Sequence, residues 1–139
     1  MRTIKFRGKN KKGEWLYGDL LHWHGVYEDP WIQTGVEKLF DQVTAKGGSV
    51  LPETLGQYAE LHDKNGKEVY EGDILQCFNT KGEKVLREVV FMEGAFCQKI
   101  IMKSPKPCFN PLRNYDGLIH WEIVGNIHDN PELVKEIEL

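Results

Sequence analysis

No run of apolar residues in this chain of 139 approaches the roughly 20 that a membrane-spanning helix needs, so no transmembrane helix is expected. Cysteine is scarce and odd in number. Cys77, Cys97 and Cys108 lack any C-x-x-C spacing, which argues against a disulfide framework or a structural zinc site and predicts reduced thiols. Missing too are a G-x-S-x-G nucleophile elbow, an H-E-x-x-H zinc motif and a phosphate-binding glycine loop, so no catalytic residue is assigned. Nor is there an excess of positive charge. The 18 Lys and Arg against 21 Asp and Glu leave a net charge of -3, which gives no global reason to approach nucleic acid or an anionic membrane. A chain of this length buries a core without staples, and no cofactor is expected.

What is present is an ordinary globular composition, 40% hydrophobic and 28% charged, with 14 glycines that point to many turns. A mainly β fold follows from the patterning. Ile4 to Arg7 and Glu14 to Tyr17 alternate on either side of Gly8 to Gly13 and predict a hairpin. Gly18-Asp19 reads as a bulge through which Leu20 to His24 extend the sheet, and Trp31 to Thr34 as a short strand. Val36 to Val43 is ambiguous between a helical turn and irregular chain, and has no assigned role. Ala45-Lys46-Gly47-Gly48-Ser49 is the best linker, which divides an N-terminal β-hairpin region, 1–49, from a C-terminal region, 50–139.

In the second region Asn65-Gly66 demands the positive φ of a tight turn, and Glu71-Gly72-Asp73 launches the strand Ile74 to Phe78. Asp73 is read as a turn anchor bonding to backbone amides. Asn79 to Gly82 and Met92 to Gly94 are further turns, around strands at 84–91 and 95–102. This succession is what the opening of an SH3-like barrel looks like, so small antiparallel sheets closing into such a barrel are expected. The prolines of Lys103 to Pro111 predict an irregular excursion, and Asn130-Pro131-Glu132 a short terminal helix with an apolar stripe of Leu133, Val134 and Ile137. Gly13 to Leu21 partly echoes Gly66 to Leu75, which common turn chemistry explains more simply than duplication.

Three surface features carry candidate functions. Arg7, Lys9, Lys11 and Lys12, interleaved with Trp15, form a basic hairpin that would hold phosphates and stack a base. His22 and His24, two apart on a strand, would share a face and chelate a metal with Glu28 or Asp29, although no spacing fixes a third ligand. Trp23 and Trp31 flank an aromatic loop suited to a protein contact.

The blocks Ile4 to Arg7, Glu53 to Tyr58, Asp63 to Ile74 and Ile123 to Leu133 run in order along the chain, and together they resemble the YopX family of phage and prophage proteins. The chain departs from that pattern at Ala59-Glu60, where a Thr-Gly pair is expected after the tyrosine. The resemblance implies a β-rich fold carried on a mobile element, with no activity, catalytic residue or cofactor to transfer. The leading expectation is a phage or prophage accessory protein that binds a protein partner or itself, as a homo-oligomer. A nucleic-acid-binding module is the alternative, and a small metal-dependent hydrolase the third. The alternating charged and apolar start, Met1 to Arg7, reads as mature structure and places the protein in the cytoplasm of a bacterial host.

Overall fold

The computed structural model describes residues 2–23, 28–101, 109–112 and 120–134. Its strands are β1 (Phe6–Lys9), β2 (Trp15–Leu21), β3 (Trp31–Leu39), β4 (Gln42–Ser49), β5 (Gly56–His62), β6 (Glu68–Tyr70), β7 (Asp73–Phe78), β8 (Lys84–Met92), β9 (Ala95–Ile100), β10 (Phe109–Pro111) and β11 (Glu122–Asn126), and a 3-10 turn lies at Pro52–Thr54. The mainly β class expected from the patterning is what the structure shows. The chain divides into two units, Met1–Tyr58 and Ala59–Leu139, and the division falls inside β5.

Three turns of one design set the hairpins. In each, the first residue is Asn or Asp, and its side-chain Oδ1 accepts from the amides two and four residues ahead. Asn10 Oδ1 takes Lys12 and Glu14 at 3.0 and 2.9 Å, Asp63 Oδ1 takes Asn65 and Lys67 at 2.9 Å each, and Asn79 Oδ1 takes Lys81 and Glu83 at 2.9 Å each. The fourth residue is always glycine, with φ of 84° at Gly13, 80° at Gly66 and 78° at Gly82, the left-handed conformation that a side chain resists. These turns join β1 to β2, β5 to β6 and β7 to β8. The Gly-Asp echo goes no further: Gly18 lies within β2, whereas Gly72, at φ 91°, turns the chain so that buried Asp73 accepts the Tyr70 amide at 2.7 Å.

The first unit has the strand order β4-β3-β2-β1-β5, antiparallel throughout its described pairings. Ile32, Val50 and Tyr58 are buried there, together with Arg7 and Thr54. Thr54 ties β1 to the 3-10 turn, its Oγ1 accepting from the Lys9 amide at 2.8 Å and donating to the Leu51 carbonyl at 2.7 Å. Several expectations change in this unit. The bulge lies in β3, between Gln33 and Gly35, while β1 and β2 pair without a break from Lys9–Trp15 to Phe6–Gly18. Val36 to Val43, left ambiguous, belongs to a long hairpin of β3 and β4. Gly47-Gly48, read as a linker, sits inside β4, because a Cβ on Gly47 would meet the Ile32 carbonyl oxygen and come within 2.8 Å of the Trp31 ring. Close approach of a neighbour, and not chain freedom, is what those glycines supply.

The second unit has the order β10-β9-β8-β7-β11, with β6 beside β5. Ala59, Val69, Leu75, Val89 and Trp121 form one buried cluster and Ile74, Leu86 and Ile101 another, onto which Leu133 and Val134 pack as the helical turn at 132–134 begins. The expected closure into an SH3-like barrel does not occur. Among the described residues β10 and β11 stay as the outer strands of an open sheet, and Pro111 in β10 has no amide to extend the ladder. Phe109 to Pro111, expected to be irregular, pair with β9, whereas Cys108 and Ile137 lie outside the described residues. Cys77 and Cys97 are free thiols.

Glu88 on β8 is held above its ordinary pKa by burial, against a lowering pull from Lys99, its neighbour directly across on β9. A carboxyl whose folded pKa is raised favours the fold at low pH and penalises it once ionised. Glu88→Gln is therefore expected to melt higher than the wild type at neutral pH, with the gap closing only below about pH 3.5, where both states are protonated. A constant gap across paired thermal melts would show that the substitution acts through packing instead.

Candidate functional site

The β3–β4 hairpin carries an unusual surface for its size. From Thr34 to Gly47 every side chain is exposed, and four of them are large and apolar: Val36, Leu39, Phe40 and Val43, with Phe40 at 90% exposure. Isolated apolar residues on a surface are normal, but a row of them on one element marks a contact surface. The row sits on a two-residue turn, Phe40-Asp41, closed by the Leu39–Gln42 pair. Phe40 has φ 55°, a left-handed backbone that hairpin turns ordinarily give to Gly, Asn or Asp. Holding a phenylalanine there costs on the order of 1–3 kcal/mol. Neither its exposure nor its backbone conformation benefits the isolated fold.

At the base of this arm is a cavity of about 490 Å³ lined by Leu21, Trp23, Asp29, Trp31, Gln33, Ala45 and Ser49. Strand register explains why these side chains meet. Leu21 stands opposite Trp31, and Trp31 opposite Ser49, so the three share a face; Gln33 follows on that face at the next alternate position. The bulge after Gln33 takes up one residue of β3, and Val36 opposite Ala45, then Lys38 opposite Val43, continue the same face toward the tip. Without that extra residue Val36 would project from the other side. The cavity and the valines of the arm thus form one continuous surface, with Asp29 at its base and, toward the tip, Lys38 followed by Asp41 in the turn itself. The Glu37–Lys46 pair, 3.9 Å apart and exposed, lies on the opposite face and adds little.

The structure brings Trp23 and Trp31, the two residues expected at a protein contact, to the same cavity. The arm itself was not foreseen. Val43 and Ala45 alternate with polar residues after Phe40-Asp41, but before it Val36 and Leu39 stand three apart, and a turn without glycine or asparagine conceals the hairpin further. The basic hairpin is arranged differently from the expectation. Arg7 is buried, its guanidinium 4.7 Å from the centre of the Trp15 ring, and the Lys9 ammonium lies over the same ring at 5.7 Å, so that aromatic surface already engages two cations of its own chain. Lys11 and Lys12 are exposed in the turn. His22 is exposed, and His24 lies outside the described residues. Among the described residues no three His, Cys, Asp or Glu side chains converge on a point that would hold a metal ion. Among them, too, no helix is long and apolar enough to cross a membrane.

Asn65, Gly66, Gly72 and Asp73 shape turns, and Glu71 sits beside Gly72 in the turn between β6 and β7. Asp63 is the centre of that region, since its Oδ2 also accepts the Ile123 amide at 3.0 Å and so ties the β5–β6 turn to β11. Burial pushes the Asp63 pKa up, but the amides of Ile123, Lys67 and Asn65 and the Lys67 charge outweigh it and leave the carboxyl below its ordinary 3.8.

Comparison with known proteins agrees with this architecture. No curated protein matches the chain. The crystal structure of protein EF1440 from Enterococcus faecalis is similar, with a TM-score of 0.57 at 21% identity over 96% of this chain and 99% of that one, a likeness of fold. The family model described as YopX protein matches residues 5–135, nearly the whole length, and the chain belongs to that family.

Proposed function

We propose that this protein is a non-catalytic binding module whose partner is a protein, engaged through the β3–β4 arm and the tryptophan-lined cavity at its base. The observation that supports this reading most directly is Phe40, which is held in a disfavoured backbone conformation at the tip of an exposed hairpin and contributes nothing to a core. Aromatic anchors of this kind dominate protein interfaces because a rigid ring removes much apolar area from water at small entropic cost. The setting implied by the family resemblance is an accessory role for a phage or prophage in the cytoplasm of its host.

The test compares wild type with Phe40→Asp as bait in cells where the gene is expressed. Because Phe40 is exposed and its positive φ suits aspartate better than phenylalanine, the variant is expected to melt no lower than the wild type. It is also expected to lose the proteins that the wild type retains, a hot-spot aromatic being worth about 2 kcal/mol or more. Identical retained sets from the two baits would remove the arm from the binding function.

A further inference from the structure

The binding reading leaves open what enters the cavity at the base of the arm, and the lining is selective about charge. We infer that the cavity seats an arginine side chain presented by the protein partner; this rests on the reading of the arm as a protein-binding element. Of the seven residues that line it, Asp29 is the one that carries a charge, and it stands among Trp23, Trp31, Leu21 and Ala45, with Gln33 and Ser49 able to supply further acceptors. Asp19, directly opposite Gln33, adds a second carboxylate to the same face of the sheet. A carboxylate beside the electron-rich faces of indole rings attracts a cation and repels an anion.

Two features of the cavity favour a guest from outside the chain. Among the described residues, the Asp29 carboxylate has neither a hydrogen-bond partner nor an ion-pair partner, and the Trp31 ring meets no cation and no second ring. Trp15 and Trp121 differ in this respect. Arg7 and Lys9 lie 4.7 and 5.7 Å from the centre of the Trp15 ring, and Arg87 lies 5.0 Å from that of Trp121, so this fold already seats guanidinium groups on tryptophan elsewhere. Lys38, the cation that the arm carries on the cavity face, stands opposite Val43, at the next alternate pair toward the tip from Ala45, and makes no ion pair with Asp29. Arginine suits the cavity better than lysine, because a planar guanidinium stacks on an indole while its N–H fork reaches a carboxylate with two parallel bonds. Its apolar stem would lie along Leu21 and Ala45.

The test titrates the intact, 15N-labelled protein with N-acetylarginine amide at constant ionic strength and reads the indole N–H signals of the four tryptophans. A ligand of this size in one cavity is expected to dissociate at about 1–10 mM. Saturable shifts are expected at Trp23 and Trp31, with Trp15 and Trp121 unmoved. N-acetylcitrulline amide, the neutral isostere, and the Asp29→Asn variant are each expected to weaken binding about fivefold or more. Because the Asp29 carboxylate holds nothing in the fold, that variant is expected to melt with the wild type. No saturable shift at Trp31 up to about 50 mM overturns the inference. So does citrulline binding as well as arginine, which would make the guest a neutral polar group such as a sugar. As bait in the capture experiment, Asp29→Asn is expected to lose proteins that the wild type retains, and an unchanged set overturns the assignment to a partner's arginine. Should the probe fail while Phe40→Asp still loses captured proteins, the arginine is wrong and the binding reading stands; should the probe bind while both variants keep the wild-type set, the cavity takes a free cation, and both the partner's arginine and the binding reading fail.

Discussion

Replacing Asp63 by alanine is expected to lower the free energy of unfolding by about 3 kcal/mol, since three amides lose a charged acceptor at roughly 1 kcal/mol each. The carboxylate is only 6% exposed and accepts from Asn65, Lys67 and Ile123 at 2.9, 2.9 and 3.0 Å. Two of these bonds define a local turn, which water can partly replace. The third spans from the turn to β11 and has no local substitute. Asp63→Asn keeps the shape but puts an amide group where one acceptor is needed, so it is expected to fall between wild type and alanine.

The same carboxylate predicts a pH dependence of definite sign. Its folded pKa lies below 3.8, so the folded state holds its proton less tightly than the unfolded chain does. The stabilisation is complete above the unfolded value and is lost as pH falls through the folded one. Urea unfolding of wild type and Asp63→Asn from neutral pH to about pH 2 should give curves that converge at the acid end. Parallel curves would mean that Asp63 is not protonated in that window and that the charge is not what matters.

Gly18→Ala is the second substitution with a large expected effect, a loss of about 2–3 kcal/mol, the upper range for forcing extra atoms into a packed site. A Cβ at this position would fall on the Gln33 carbonyl oxygen and lie 2.9 Å from the Gln33 carbonyl carbon. These are backbone atoms of β3, which cannot rotate away as a side chain would. To admit the methyl group β2 and β3 must separate at the Asp19–Gln33 pair, and the cavity whose lining both strands supply would lose its shape. Hydrogen exchange should show protection lost along β2 and β3, and any association through the arm should weaken with it. Gly35→Ala is the control, because nothing stands within 4 Å of a Cβ there, and its melt should match the wild type. If the two alanines are equally stable, the close approach at Gly18 is relieved at no cost and the argument from it fails.

Much of the scaffold was legible because its instructions are local. Asn10, Asp63 and Asn79 each bond within four residues, and the glycine closing each turn follows at a fixed offset, so the first hairpin, the turn at Asn65-Gly66 and the strand entry at Gly72-Asp73 are all visible in the chain. The same habit misled at Gly47-Gly48. A glycine pair reads as freedom when only the chain is seen, and becomes a close-packing position once Trp31 and Ile32 of the neighbouring strand are in place. Barrel closure failed for a related reason, since strand entries and turns specify hairpins but not which outer strands will meet.

The sequence by itself determined the strand class, the three turns that use an Asn or Asp acceptor with a following glycine, and the absence of any catalytic motif, because each depends on residues a few positions apart. Tertiary structure alone decided the surface on which function is proposed. Trp23 and Trp31 share a cavity with Ala45 and Ser49 only through strand register, and one extra residue at the β3 bulge chooses which side of the arm carries Val36. A shift of a single residue turns every side chain of a strand to its other face, so that choice is fixed by the pairing of distant strands and by nothing that adjacent residues express.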